Sequence, residues 1–277
     1  MTDYLASFLP RRTADYWILI VVSVVAVFQV VVLLGFIPGI VGSTTLILVL
    51  RWSHLAQHSH AHTPIFGRRS MNEAFDLIVM TQTAMPAEMY RVHHISVHHR
   101  FNNRPEDWTG PYSYRGTIYP SRPVNMAYYV FSFIPRAWFN SRRAISAGAV
   151  RRRRKNSRAL FLWLALSIAG LLAGGFRGFL YAYILPTVAL YLLTPIANWL
   201  HHNRCDYQTW STAANSSLTP FNMVLGLNIG YHATHHRSPQ THWADIPALH
   251  RRYTVEDSEK SVSDGFGGSS PTCSEDK

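Results

Sequence analysis

Fifteen histidines stand in this chain of 277 residues, and fourteen of them fall in four groups. The groups are His54, His58, His60 and His62; His93, His94, His98 and His99; His201 and His202; and His232, His235, His236 and His242, with only His250 apart. A solitary histidine is ordinarily a hydrogen-bonded or surface residue, but repeated imidazoles at helical spacing suggest metal ligation. On an α-helix residues i and i+4 share a face. By that rule His54 with His58, His94 with His98, Asn198 with His202, and His232 with His236 each present two groups together. The neighbours His99 and His235 raise the set to nine imidazoles and one amide. Imidazole serves iron, zinc and copper alike, so ligand type does not select the metal. Nine ring nitrogens are too many for one ion and suit two.

These side chains must be positioned by apolar elements. From Tyr16 to Leu50 there is no charged residue, and only Gly35, Pro38 and Gly39 interrupt the run. From Ala159 to Leu200 the one charge is Arg177, within the Gly174, Gly175, Gly178 stretch. A bilayer span needs roughly 20 apolar residues, so each run reads as a helical hairpin. The expectation is an all-α integral membrane fold. Four transmembrane helices form two hairpins, about 16–53 and 159–200, with a helical cap bearing the histidines. Residues 1–253 would form one domain, and the Ser-, Gly- and acid-rich residues 254–277 a disordered tail. The apolar stretch Asn125 to Phe139 is short and interrupted by Pro135, which suits the membrane interface rather than a span.

Net charge is +11, and its distribution sets orientation. Arg11, Arg12, Arg51, Arg68, Arg69, the segment from Arg91 to Arg158 and everything after Arg204 flank the hairpins on one side, against Arg177 alone on the other. The positive-inside rule puts both termini and every histidine group on the cytoplasmic side, where they can meet in one layer. The basic run Arg151 to Lys155 reads as an anchor facing lipid headgroups. Nucleic-acid binding would want basic residues interleaved with exposed aromatics on a soluble face, which the chain lacks.

Other chemistries are poorly served. Two cysteines, Cys205 and Cys273, cannot make a disulfide framework, a rubredoxin-type site or an iron–sulfur cluster. No glycine-rich dinucleotide fingerprint or HExxH motif occurs, so reducing equivalents must come from another protein and zinc hydrolysis lacks its base. A membrane metal transporter, the non-enzyme alternative, would place ionisable ligands near mid-membrane. The interiors Ile18 to Leu34 and Phe161 to Leu172 hold no histidine or carboxylate.

Taken in order, the motifs are HxxxH (His54, His58), HxxxHH (His94, His98, His99), NxxxH (Asn198, His202) and HxxHH (His232, His235, His236). This pattern resembles the membrane fatty-acid desaturases and the related alkane monooxygenases. The third box, from Asn228 through His236 and on to Pro239, Trp243 and Pro247, looks like that of desaturases. The second, His98-His99-Arg100 running to Pro105-Glu106-Asp107, looks like that of alkane monooxygenases. The resemblance implies two iron ions held by His54, His58, His94, His98, His99, His202, His232, His235 and His236, with dioxygen as co-substrate. Asn198 would act behind the ligands or through water, and Glu106 and Asp107 are the best candidates to orient ligand rings from behind.

The activity so implied is desaturation of a fatty-acyl chain, carried as acyl-CoA, acyl-carrier protein or free acid, in the bacterial inner membrane. Electrons would come from an external donor such as ferredoxin or rubredoxin with its reductase. Hydroxylation of an alkyl or fatty-acid chain and terminal-alkene formation are the alternatives within the superfamily. The chain is short for that company, which leaves the length of the substrate channel open.

Overall fold

The computed structural model describes residues 7–102, 104–110, 123–202, 205, 214–219 and 226–263. Among these, all regular structure is helical apart from an isolated bridge between Pro10 and Phe66. In chain order the α-helices are α1 (Asp15–Leu33), α2 (Gly39–His62), α3 (Arg69–Thr83), α4 (Ala87–Arg91), α5 (Pro123–Ala147), α6 (Val150–Phe179), α7 (Leu185–His202), α8 (His232–Arg237) and α9 (Ile246–Ser263). Two π-helical stretches, Val92–His99 and Leu180–Ile184, join them. The chain divides into two compact units, one of residues 1–92 and 139–193, the other of residues 93–138 and 194–277.

The first unit is built on the α1–α2 hairpin. Along α1 the buried residues include Asp15, Ile18, Val22, Val25, Gln29 and Val32, a three-four alternation that draws one stripe down the helix. α2 answers with Ser43, Leu46, Leu50, Ser53 and Gln57 at the same period. Off the stripe, large apolar side chains stay exposed, among them Val27, Ile40 and Leu48 at 65–71%. An apolar exterior of this kind suits hydrocarbon rather than water. The turn between the helices needs a positive φ, which Gly35 supplies at +77°.

The expected second glycine turn is also present. The apolar helix from Val150 to His202 breaks at Gly175, where φ is +64°. Gly174 and Gly178 both lie against Leu33, where any β-carbon would collide with its carbonyl oxygen. The chain then returns along α1: the Gln29 amide donates to the Ala182 carbonyl at 3.2 Å, and Leu190 packs with Val25 and Leu50. Close approach through small residues and amide-to-carbonyl hydrogen bonds are how helices associate where water provides no drive. Gln82, whose amide donates to the Val22 carbonyl at 2.9 Å, makes another such bond. Three helices, Asp15–Leu33, Gly39–His62 and Val150–His202, are long and apolar enough to cross a membrane, which fits an integral membrane protein.

In the second unit, Tyr129, Phe133 and Trp199 form a buried aromatic cluster between α5 and the end of α7. α5 contains Pro135 and is not among the potential spans. The segment expected to be a tail starts within α9, which runs to Ser263; residues 264–277 lie outside those described.

Candidate metal centre

Seven histidines of the second unit converge into two groups. His98, His202, His232 and His236 bring one ring nitrogen each to within 4.8 Å of one another, and so do His94, His99 and His235. All seven are buried. The His232 Nε2 lies 3.0 Å from His202 Nε2 and 3.2 Å from His236 Nε2. In the other group His99 Nε2 lies 3.2 Å from His94 Nε2 and 3.0 Å from His235 Nε2. Nitrogens bound about 2.1 Å from one metal ion stand roughly 3.0–3.4 Å apart, depending on geometry. The observed spacings match that ligand cage.

The second box owes its layout to a π-helix. α4 widens at Val92, and Val92–His99 follows the i→i+5 pattern. Residues five apart therefore superpose, which brings His94 to His99. His98 is carried round to the other group, its ring centre 4.7 Å from His202 and 4.9 Å from His236. His94 and His98 are neighbours, as their four-residue spacing leads one to expect, but the wider helix pairs His94 with His99 and sends the two rings to different groups. Their rings lie stacked with centres 5.6 Å apart, in different groups. Three residues beyond the stretch stands Asn102, at φ +47°, whose N–H bonds the His98 carbonyl; asparagine tolerates this left-handed conformation. In α8 the ordinary period holds, and His232 and His236 meet. α7 delivers His202 at its last residue.

Behind His98 stands a continuous hydrogen-bonded support. The Asp107 carboxylate sits 2.7 Å from His98 Nδ1 through Oδ2, while its Oδ1 accepts from the Thr109 N–H and hydroxyl, each at 2.9 Å. The Thr109 carbonyl accepts from the Tyr129 hydroxyl at 2.8 Å and from the Asn198 amide at 3.4 Å, and Asn198 also donates to the Tyr129 oxygen. Burial alone would raise the Asp107 pKa, but the charge and hydrogen bond of His98 and the two Thr109 donors outweigh it, leaving the pKa at about 2. A permanent carboxylate thus accepts the Nδ1 proton and fixes the tautomer, leaving the Nε2 lone pair outward. That Nε2 is buried with no hydrogen-bond partner, as a metal ligand's nitrogen would be. Burial, followed by the mutual proximity of the histidines, holds His232 and His236 well below the ordinary imidazole pKa. Both are accordingly neutral, the form that ligates. The donor set, the spacings and this unpartnered nitrogen fit a transition-metal ion.

The remaining histidines divide by their contacts. His60 accepts from the Ile65 N–H at 3.2 Å and lies 3.5 Å from Asp76. His201 bonds the Asn215 carbonyl, His242 accepts from the Ala244 N–H, and His250 bonds the Thr234 hydroxyl. These four are tied into local structure. His93 is buried outside the two groups. In the first unit His54 packs edge-on against Tyr90, with centres 5.6 Å apart, whereas His58 pairs with His62 at 5.1 Å. His62 falls outside the four motifs, although it stands four residues after His58 just as His58 stands four after His54. Glu106, expected beside Asp107, is exposed.

Buried histidine clusters able to hold metal, in a chain whose helices are apolar enough to cross a membrane, are what a membrane-associated metalloprotein requires. The family model of the fatty acid desaturases matches residues 34–263, most of the chain, and the protein belongs to that family. No curated protein and no solved structure matches it.

Proposed function

We propose that the chain is an O₂-dependent di-iron desaturase that introduces a double bond into a fatty-acyl chain. The observation that carries the reading is the buried convergence of seven imidazoles, one of them backed by Asp107, in a chain of this family. Nine motif histidines, His54, His58, His94, His98, His99, His202, His232, His235 and His236, would hold two iron ions, with Asp107 and Asn198 acting behind them. His54 and His58 enter on their motif position, and His62 competes with His54 as the partner of His58 in the first unit.

Bound there, the irons would supply the oxidising power needed to break an unactivated C–H bond. The protein's own share is positioning and exclusion of water. Asp107 holds the His98 ring in one tautomer, and Asn198 and Tyr129 hold the Thr109 carbonyl, so that a chain of hydrogen bonds resists rotation of His98. Burial keeps His232 and His236 unprotonated and keeps water from the ligands. Across the reaction two hydrogens leave adjacent carbons, and with two electrons and two protons supplied from outside, O₂ becomes two waters.

Four spans in two hairpins, with both termini and the centre on the cytoplasmic side of a bacterial inner membrane, complete the reading. The Gly175 break and the arginine distribution support it. Substrates would be acyl-CoA, acyl-carrier protein or free fatty acid, with ferredoxin or rubredoxin and a reductase as donor. The second reading is hydroxylation, favoured by the monooxygenase-like second box whose Asp107 engages His98. Mass spectrometry of products decides between them. With donor, reductase and acyl substrate supplied, loss of two hydrogens supports the desaturase, and gain of one oxygen overturns it in favour of the hydroxylase.

A further inference from the structure

A cavity of about 600 Å³ in the first unit opens between α3, α4 and the start of α6. Its apolar wall includes Leu77, Met80 and Leu162, and its rim is basic. The carboxylates that line it are paired. Arg91 grips Asp76 through two bonds of 2.8 and 3.0 Å, Lys155 lies 2.8 Å from Glu88, and Arg69 lies 2.8 Å from Glu73. Arg151, Arg154 and Arg158 also line the cavity, are exposed, and make no ion pair with any described carboxylate. They stand three and four residues apart, so one face of α6 presents all three. Immediately after them α6 turns apolar, and Phe161, Leu164, Ile168 and Leu172 are exposed at 50–80%.

A fixed cationic rim above an apolar wall, continuous with a helix face suited to lipid, matches one kind of molecule: a phosphate at the top and hydrocarbon below. We propose that this cavity is a headgroup site for an anionic phospholipid of the surrounding membrane, with Arg151, Arg154 and Arg158 on the phosphate and the acyl chains along the exposed face of α6. Guanidinium groups suit this role because their donors match phosphate oxygens in pairs, and a cluster of this kind next to a span is a known form of lipid recognition. The proposal rests on membrane insertion and is independent of the metal chemistry.

The test uses the full chain in detergent, with native mass spectrometry counting bound lipid during titration with phosphatidylglycerol or phosphatidylcholine. The wild type should retain one phosphatidylglycerol at least tenfold more tightly than phosphatidylcholine. The triple variant R151Q/R154Q/R158Q should lose that preference, as should Ala74→Trp, which blocks the cavity and keeps every arginine. Arg153→Gln, outside the cavity lining, should keep it. Iron content should be unchanged in all of them, so failure of the iron reading would register separately. Equal binding of the two lipids, or retention of the preference in both cavity variants, overturns the proposal. Displacement of phosphatidylglycerol by inorganic phosphate or by acyl-CoA at lower concentration than by lipid would equally overturn it, since the site would then read free phosphate or the substrate's own headgroup.

Discussion

Asp107→Asn probes the support of His98 with almost no change of volume. The carboxylate serves His98 with one oxygen and the two Thr109 donors with the other, whereas an amide has one oxygen. In either orientation an NH₂ group faces a donor: Thr109 in one, the His98 Nδ1–H in the other. A charge-assisted buried hydrogen bond contributes about 1.5–3 kcal/mol, and tenfold corresponds to about 1.4 kcal/mol. The expected loss is thus roughly 10–150-fold, in line with the 10–100-fold typical of residues that orient metal ligands. The assay is iron retention against a graded chelator, with turnover measured in parallel on detergent-purified protein. Glu106→Gln, at the exposed neighbouring position, should behave as wild type. If Asp107→Asn kept its iron and turnover, or if Glu106→Gln lost as much, the argument that Asp107 fixes the His98 tautomer would be refuted.

Three other perturbations follow from the same geometry. His98→Ala and His235→Ala should each lower iron content and abolish turnover, while His250→Ala, which removes the bond to Thr234 and a ring contact with Tyr231, should do neither; metal analysis of the three reads this directly. Gly178→Ala would push a methyl group into the Leu33 carbonyl and should cost about 1–3 kcal/mol, seen as a lower melting temperature in detergent. For pH, His232 and His236 have folded pKa values depressed below the ordinary 6.5, so the unfolded chain binds the more protons as pH falls through that value. Metal-free protein should lose stability there, by about 1.4 kcal/mol per pH unit for each such histidine, and a melting temperature equal at pH 7.5 and 5.5 would contradict it.

Much of the fold was legible because hydrophobic length is read directly from sequence. The uncharged runs, Gly35 and the Gly174–Gly178 cluster announced two breaks in the apolar helices, and the backbone takes a positive φ at Gly35 and at Gly175. The histidine grouping was legible for the same reason, since proximity along one helix guarantees proximity in space. The partition of the second box was not. Nothing in the residues from Val92 to His99 distinguishes a π-helix from an α-helix, and the pitch decides which of His98 and His99 joins His94. His62 was open to sequence reasoning, because both its separation and its type match the rule applied to His54. Asn198 is a subtler case: its place beside His202 suggested action near the metal, but the link through Thr109 to Asp107 depends on a tertiary contact no local pattern encodes.

The pair of histidine-held irons is tested most directly by the metal content of the purified protein. Grown with ample iron and analysed by inductively coupled plasma mass spectrometry, the protein should carry close to two irons per chain. One iron, none, or a full complement of zinc or copper in their place would contradict a di-iron centre.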